Sequence, residues 1–191
     1  MSCSDCENCA MDSKEVIYQV HVTVLPDFSF LRTCGVLGIK GVHVRNLIGD
    51  EEVDDMMTST IAKSLPEAIN KMMKEKDCLS EYFKVVRCKI ETVPWNPIAT
   101  KANRGQYFET HLNMGKNDEV YDKVKSNPNF MVSRNQNGSI YLTVRTRDTR
   151  GNHWAELCKR TATLDIPFVK AITEFVYYDS NEEHDKDWEY Q

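Results

Sequence analysis

Alternation of apolar and polar residues is the clearest pattern along this chain. From residue 15 to residue 25 every second residue is apolar, and Pro26 follows this stretch. A period of two is typical of a half-buried strand. Further strands are predicted at about residues 41–47, 82–93, 106–114, 130–134, 139–147 and 169–178, with Asn137-Gly138 as the turn of a hairpin.

Helical spacing appears in two segments. Ser64 as N-cap and Pro66 in a first turn predict a helix over residues 65–76, and a second helix is predicted over 152–163. The inner side of the second helix is expected to carry Trp154, Leu157, Cys158 and Thr161, with His153 toward solvent. Connections are predicted for the glycine-punctuated segment 28–40 and the acidic segment 51–60, and a loop or short helix for 119–125.

The order of the predicted elements repeats, and His21 and His111 hold matching positions in the first strand of each half. The sequence therefore predicts an α+β fold: two ferredoxin-like half-domains, each a duplicated β-β-α-β unit whose antiparallel sheet is covered by helices on one face. The predicted divisions are a mobile Cys-rich leader at 1–13, a first half at 14–97, a linker at 98–105, a second half at 106–181 and an acidic tail at 182–191.

Composition narrows the classes of function. The 191 residues are 41% hydrophobic and 28% charged, which is ordinary for a globular protein, and the net charge of −5 argues against a dedicated duplex-DNA binder. No apolar run is long enough for a membrane span, and we expect no secretory signal. The odd count of seven cysteines, four of them in predicted elements, indicates an intracellular, reducing compartment such as the cytoplasm.

The remaining three cysteines, Cys3, Cys6 and Cys9, have a spacing used by metal sites. A zinc or iron–sulfur site needs a fourth ligand, which this leader does not supply. We predict a mobile arm with exposed thiols and no cofactor, with a metal site as the weaker alternative.

The alternation of side chains along the predicted strands places candidate catalytic and binding residues on common faces. If the valine-rich face of the first strand packs on helices, His21 and Thr23 face the other way, and so do His111 and Asn113 in the second half. By the same parity Arg87 and Lys89 share one face of their strand, as do Tyr141, Thr143, Arg145 and Arg147. We expect these faces to form a cleft holding two histidines and several cations.

This constellation resembles the two-lobed 2H phosphoesterases through His21-Val22-Thr23 and His111-Leu112-Asn113, the latter with Asn in place of the hydroxyl residue. The resemblance implies metal-independent hydrolysis or cyclisation of RNA or nucleotide phosphoesters, with His21 and His111 as the acid–base pair. Its implied ligand-binding residues are Thr23, Asn113, Arg145, Arg87, Lys89 and Arg134. The alternative is that both histidines are structural and satisfied by hydrogen bonds; His43 is expected to be structural, and His184 to be a solvated residue of the acidic tail.

A second resemblance spans about residues 82–188. It rests on Lys89-Ile90-Glu91, the run 107–111, Val132-Ser133-Arg134-Asn135, Val144-Arg145, Tyr178-Asp179-Ser180-Asn181, His184-Asp185 and Trp188. These pieces are similar to an uncharacterised family that we associate with bacteria and large DNA viruses. The family implies no activity, but it directs attention to Glu109, His111, Ser133, Arg134, Asn135, Arg145, Asp179 and Asn181. Several of these lie at predicted strand ends, where turn capping explains them as well as ligand binding does.

Three hypotheses of function follow. The sequence favours a non-catalytic module that binds a protein partner or self-associates. The alternative is the 2H-type phosphoesterase, so enzymatic activity stays undecided from the sequence. Binding of single-stranded RNA comes third, because only Tyr107 and Tyr141 are placed to stack on bases.

Overall fold

The structure is a computed structural model that describes residues 15–48 and 50–185. The predicted Cys-rich leader, with Cys3, Cys6 and Cys9, lies outside the described residues, as does the part of the predicted tail after residue 185. The strands are β1 Tyr18–Val24, β2 Gly41–Ile48, β3 Glu51–Thr58, β4 Thr60–Ala62, β5 Val85–Thr92, β6 Tyr107–Gly115, β7 Met131–Asn135, β8 Ile140–Thr146 and β9 Lys170–Asp179. The helices are α1 Phe30–Leu37, α2 Leu65–Ser80, α3 Asp118–Val124 and α4 Arg150–Thr161, and a 3-10 segment, here named the closing turn, spans Glu182–Asp185.

Eight of these strands form a closed antiparallel barrel. Their order is β3-β2-β7-β8-β6-β9-β5-β1, and pairing of Thr23 and Val24 in β1 with Met57 and Met56 in β3 closes the ring. The short strand β4 extends the pairing of β1 past that point. Every wall strand therefore has a neighbour on each side over part of its length, which removes the open edges of a flat sheet.

The prediction of an α+β fold with two ferredoxin-like half-domains is wrong. Strands of residues 14–97 and 106–181 pair directly at β2–β7 and at β5–β9, so one wall contains both halves. The alternation of residue types reports which face of a strand is apolar but not which strand lies next to it. The predicted linker is also packed, since Ala99 and Ala102 are buried against Phe108 and Phe175.

Local sequence explains where most elements begin and end. The Ser64 side chain accepts a hydrogen bond from Glu67 N at the start of α2, and Pro66 occupies the first turn. Pro94 follows β5 and cannot donate to a ladder, so the strand ends before it. Gly138, with φ of 82°, lies in the turn between β7 and β8, where positive φ favours glycine.

Two elements differ from the predictions. The segment expected to be a glycine-rich connection contains α1, whose buried Phe30 and Cys34 face the barrel and whose end is the left-handed Gly38. The acidic segment expected to be a loop is β3, paired with β2 from Gly41↔Thr58 to Ile48↔Glu51. The first four residues of β3 are exposed, so their acidic side chains remain in water while the backbone pairs.

The apolar core lies between the barrel wall and the helices. Leu112, Leu142 and Val144 of the wall pack with Leu157 of α4, while Val22 packs with residues of α1 and α2. None of the described helices is long and apolar enough to cross a membrane. Because the helices take up the apolar faces, the opposite faces of the same strands line the barrel interior.

The expected orientation of α4 is confirmed for Leu157 but wrong for His153, Trp154 and Cys158. His153 and Leu157 are its buried residues, whereas Trp154 is 40% exposed. The His153 ring is 2.8 Å from Thr110 Oγ1 and 2.9 Å from Thr146 Oγ1, and burial lowers its pKa to about 4. His153 is therefore a neutral, hydrogen-bonded part of the wall rather than a solvent-facing residue.

Replacement of a wall residue under α4 tests the position of the core. We expect Leu142→Ala, at a fully buried site, to lower the free energy of unfolding by about 2–5 kcal/mol because it leaves a cavity. The control Ile61→Ala, at a residue 58% exposed, should cost no more than about 1 kcal/mol. Urea denaturation measures both, and an equal loss in the two variants would contradict this packing.

Candidate functional site

The interior of the barrel, here called the lumen, is lined by polar side chains. Both histidines singled out in the sequence lie there, together with Arg87, Lys89 and Tyr141. A cavity of about 270 Å³, here named the lumen cavity, reaches this set. Its lining residues are Gln19, His21, Val42, Val44, Asn46, Asp55, Met57, Ser59, Arg87, Lys89, Glu91, His111, Ser133, Asn135, Tyr141 and Glu174.

The other predicted ligand-binding residues are placed less uniformly. Thr23 is buried opposite Arg87 in register, and Asn113 Nδ2 lies 3.5 Å from the Tyr141 hydroxyl. Arg145 is buried in the lumen. Arg134 lies apart from this set, where its guanidinium covers the Tyr121 ring and pairs with Asp118.

One end of the lumen is filled by a network around Arg87. Its guanidinium bonds Asp179 with two nitrogens, at 2.9 and 2.6 Å, and Asp185 at 3.0 Å. The Tyr107 hydroxyl accepts from Arg87 at 2.8 Å and donates to Asp179 at 2.7 Å. The closing turn thus brings Asp185 into the barrel, where that residue is only 4% exposed, although the sequence predicted a solvated tail here.

Arg145 joins this network to the middle of the lumen. It donates to Glu109 through two nitrogens and to Asp185 at 2.6 Å. Burial alone would raise the pKa of Glu109, but the charges of Arg145 and Lys89 hold that pKa far below its ordinary value. Glu109 is therefore ionised and paired with the two cations.

Lys89 lies at the centre of the lumen between carboxylates. Its ammonium pairs with Glu91 and lies 3.5 Å from Glu109. Burial would lower the pKa of Lys89, but these two carboxylates raise it well above its ordinary value. The lysine thus remains charged, and its charge is balanced within the protein.

His21 and Glu91 must share a proton. The Nδ1 of His21 lies 2.7 Å from the backbone carbonyl of Thr58, which can only accept, so this nitrogen carries hydrogen. The other ring nitrogen, Nε2, lies 3.0 Å from Glu91 Oε2. A hydrogen bond at this distance needs a proton on Nε2 or on the carboxyl, since a lone-pair nitrogen and a carboxylate oxygen would repel.

Glu174 adds a second shared proton. Burial and the neighbouring charge of Glu91 raise the pKa of Glu174 well above its ordinary value, and the two carboxyl groups are hydrogen-bonded to each other. Glu91 is driven the other way: despite burial, Lys89 and His21 hold its pKa well below the ordinary value. Neighbouring acids with pKa values pushed in opposite directions are the arrangement that assigns one group as acid and the other as base.

His111 lies on the far side of Glu174 from Glu91. Its Nε2 is 3.7 Å from Glu174 and 3.9 Å from Glu109, and its Nδ1 is 2.8 Å from Thr143 Oγ1. Burial lowers the pKa of His111, although the nearby carboxylates oppose this shift. Both histidines thus line the lumen cavity, and each has a carboxyl group nearby: Glu91 beside His21, and Glu174 and Glu109 beside His111.

A second cavity, of about 350 Å³ and here named the side cleft, opens between β9 and the ends of β1 and β5. It shares Gln19, Glu91 and Glu174 with the lumen cavity. The cleft exists because β9 pairs with β5 only from Phe175 onward, while its first half pairs with β6 alone. The Glu91–Glu174 pair is thus reached from two sides.

Carboxyl groups outnumber permanent cations in this interior. Asp55, Glu91, Glu109, Glu174, Asp179 and Asp185 contribute six carboxyl groups, against the three permanent cations Arg87, Lys89 and Arg145. Each of the three cations already has a carboxylate partner. Within residues 15–48 and 50–185, no three His, Cys, Asp or Glu side chains are grouped so as to hold a metal ion.

Sequence reasoning missed Glu91 and Glu174 as a pair. Glu91 follows Arg87 and Lys89 at the spacing of one strand face, which signals the lumen side. Glu174 shares no such local signal, because its partner lies on β5, a strand distant in sequence that pairs with β9. Glu109, Ser133, Asn135, Arg145 and Asp179, noticed from the family resemblance, do line or adjoin the lumen.

Removing one cation from the network tests its role in stability. Arg145→Met should lower the free energy of unfolding by roughly 3–5 kcal/mol because Glu109 and Asp185 lose a buried partner. The matched Arg45→Met, at an exposed pair with Glu52, should cost less than about 1 kcal/mol. Denaturant unfolding that gave both variants the same loss would be inconsistent with a buried network.

The protonation of Glu174 predicts a pH dependence. A carboxyl group with a raised pKa in the folded state contributes stability that is complete below its unfolded pKa and is lost as pH rises through the folded pKa. Glutamine mimics the neutral acid at every pH, so Glu174→Gln should gain stability relative to wild type as the pH rises above the ordinary pKa of a glutamate, until the folded-state pKa is passed. The gain is up to roughly 1.4 kcal/mol for each unit of pKa difference crossed.

The measurement is urea unfolding of both proteins at pH 5, 7 and 9. Glu81→Gln, at an exposed residue, serves as the control and should show a constant difference from wild type. A difference for Glu174→Gln that did not change with pH would mean that Glu174 is already ionised in the native protein.

In comparisons with known proteins, no family model matches the chain, and no curated protein is significantly similar to it. The resemblances drawn from short sequence pieces therefore stay predictions. Function has to be argued from the lumen itself.

Proposed function

We propose that this protein binds a small polar molecule in the barrel lumen and acts on it by general acid–base catalysis. The observation that supports this most directly is the row His21, Glu91 and Glu174, which holds two shared protons between two cavities. Buried pairs of titratable groups with opposed pKa shifts, next to a cavity, are typical of catalytic centres.

The roles of the residues follow from their protonation. Glu91, whose pKa is lowered by Lys89 and His21 despite burial, is the candidate base. Glu174, neutral because of burial and the adjacent Glu91 charge, is the candidate acid. His21 shares a proton with Glu91 at 3.0 Å and so holds the candidate base in position.

Charge argues against the phosphoesterase hypothesis. A phosphoester would enter an interior with more carboxyl groups than cations, and Arg87, Lys89 and Arg145 would have to leave existing partners to bind it. His21 and His111 are also each engaged with a carboxyl group or a hydroxyl group. A neutral or cationic substrate fits the same lumen without this cost.

Two other hypotheses receive less support. Stacking of RNA bases on Tyr107 is not favoured, since that ring is fully buried among arginines. A protein-binding or assembly role stays a prediction, but it does not account for the row of proton-sharing residues His21, Glu91 and Glu174 in the lumen. We further propose a reducing, intracellular location, which the four free cysteines Cys34, Cys78, Cys88 and Cys158 would suit.

Ligand screening by thermal shift tests the proposal. Small neutral, cationic and phosphorylated molecules are compared on wild type, Glu91→Gln, Glu174→Gln and the exposed control Glu81→Gln. We expect neutral or cationic compounds to raise the melting temperature of wild type and of the control but not of Glu91→Gln. Stabilising compounds are then followed for conversion by NMR.

For a compound that is converted, Glu91→Gln should lower kcat/KM by about 10²-fold or more, as loss of a general base does. Glu174→Gln keeps the neutral shape of that side chain, so its loss of rate cannot be assigned to misfolding. The proposal is wrong if phosphorylated compounds alone stabilise the protein, or if turnover is the same in both variants and in wild type.

A further inference from the structure

The side cleft has a composition that selects a ligand. The cleft is lined by the polar Gln19, Glu91 and Glu174, by Lys170, and by apolar side chains that include Trp95 and Ile172. Trp95 is 43% exposed and Ile172 is 36% exposed, so these two side chains lie at the rim. Carboxyl groups beside an apolar part of the rim suit a molecule with a positive head and an apolar tail.

A turn after β5 and an unpaired part of β9 together form the cleft. The turn Pro94-Trp95-Asn96-Pro97 ends β5 and carries the indole to the rim. Asn96 is buried and bonds Tyr18 and Thr92, which fixes the turn on the wall. Residues Lys170 to Glu174 of β9 then face the cleft with no strand beside them on that side.

The cleft offers a carboxyl group that can ionise to pair with a cation. Glu174 is surrounded by groups from each neighbouring strand: Lys89 and Glu91 of β5, Glu109 and His111 of β6, and Gln19 and His21 of β1. Lys89 is already paired with Glu91, so it does not occupy the Glu174 carboxyl group. Lys170 is the cation on the same strand, and its position four residues from Glu174 places it about 13 Å away along β9.

We propose that the side cleft binds a small organic amine, with its ammonium group against Glu91 and Glu174 and its apolar chain against Trp95 and Ile172. This inference rests on the proposed function, for which it names the substrate class.

Binding has a defined proton balance. In the free protein Glu91 and Glu174 share one proton. When an ammonium ion enters with its own protons, Glu174 releases its proton to the buffer and becomes the carboxylate partner of the ligand. The complex therefore differs from its components by the loss of about one proton for each amine bound at neutral pH.

Calorimetry of straight-chain primary alkylamines tests this assignment. Titration in two buffers of different ionisation enthalpy gives both the affinity and the number of protons released. We expect affinity to rise with chain length until the cleft is filled, with about one proton released. The matched alcohols should bind more weakly and release none.

Two variants test the contributions of the ammonium group and of the alkyl chain to binding separately. Glu174→Gln, which keeps the neutral shape, should abolish proton release and weaken every amine. Trp95→Ala should weaken the longer amines by roughly tenfold and the shortest amine little, because only longer chains reach the rim. Trp154→Ala, at an indole of similar exposure on α4, should change nothing.

Each outcome decides between the two proposals. If amines bind but Trp95→Ala and Trp154→Ala behave alike, or if alcohols bind as well as amines, the assignment of the cleft is wrong while acid–base chemistry in the lumen is untouched. If another class of small molecule binds through Glu91 and amines do not, the amine assignment alone fails. If no small molecule depends on Glu91 or Glu174, both proposals fail.

Discussion

Charged side chains held away from bulk water must each have a partner, and this requirement organises the whole barrel. Arg87 and Arg145 are buried and the side chain of Lys89 is only 12% exposed, and each of the three is matched to carboxylates on the strands or on the closing turn. Removing one member leaves an uncompensated charge in a medium of low polarity, which is far more costly than never having buried the pair. The network thus constrains which strands may be neighbours and where the closing turn must lie.

The same requirement separates structural charges from the reactive ones. Glu109, Asp179 and Asp185 are ionised and satisfied by arginines or lysine, so they have no proton to exchange. Glu91 and Glu174 differ because they are bonded to each other and are reached by both cavities. The carboxyl groups without a fixed cation partner thus lie where two cavities meet.

The sequence predicts which face of each strand is apolar, but it does not predict that the sheet closes into a barrel. The alternation in β1 and β6 places His21 and His111 on the faces opposite the helices, and both are in the lumen of the structure. Yet a polar face looks the same in the sequence whether it meets water or other strands across a barrel. The acidic run of β3 shows a related difficulty, because four exposed residues gave no sign that their backbone is paired on the wall.

Two strand pairs, β2–β7 and β5–β9, join the two halves of the chain, and they have a consequence for synthesis of the protein. Each joins strands that are far apart in the chain, so residues 41–48 and 85–92 leave the ribosome long before their partners at 131–135 and 170–179 exist. Until then the early strands have unpaired backbone groups that other chains could occupy. Chaperones that shield nascent chains should therefore matter more for this barrel than for a fold assembled from neighbouring segments.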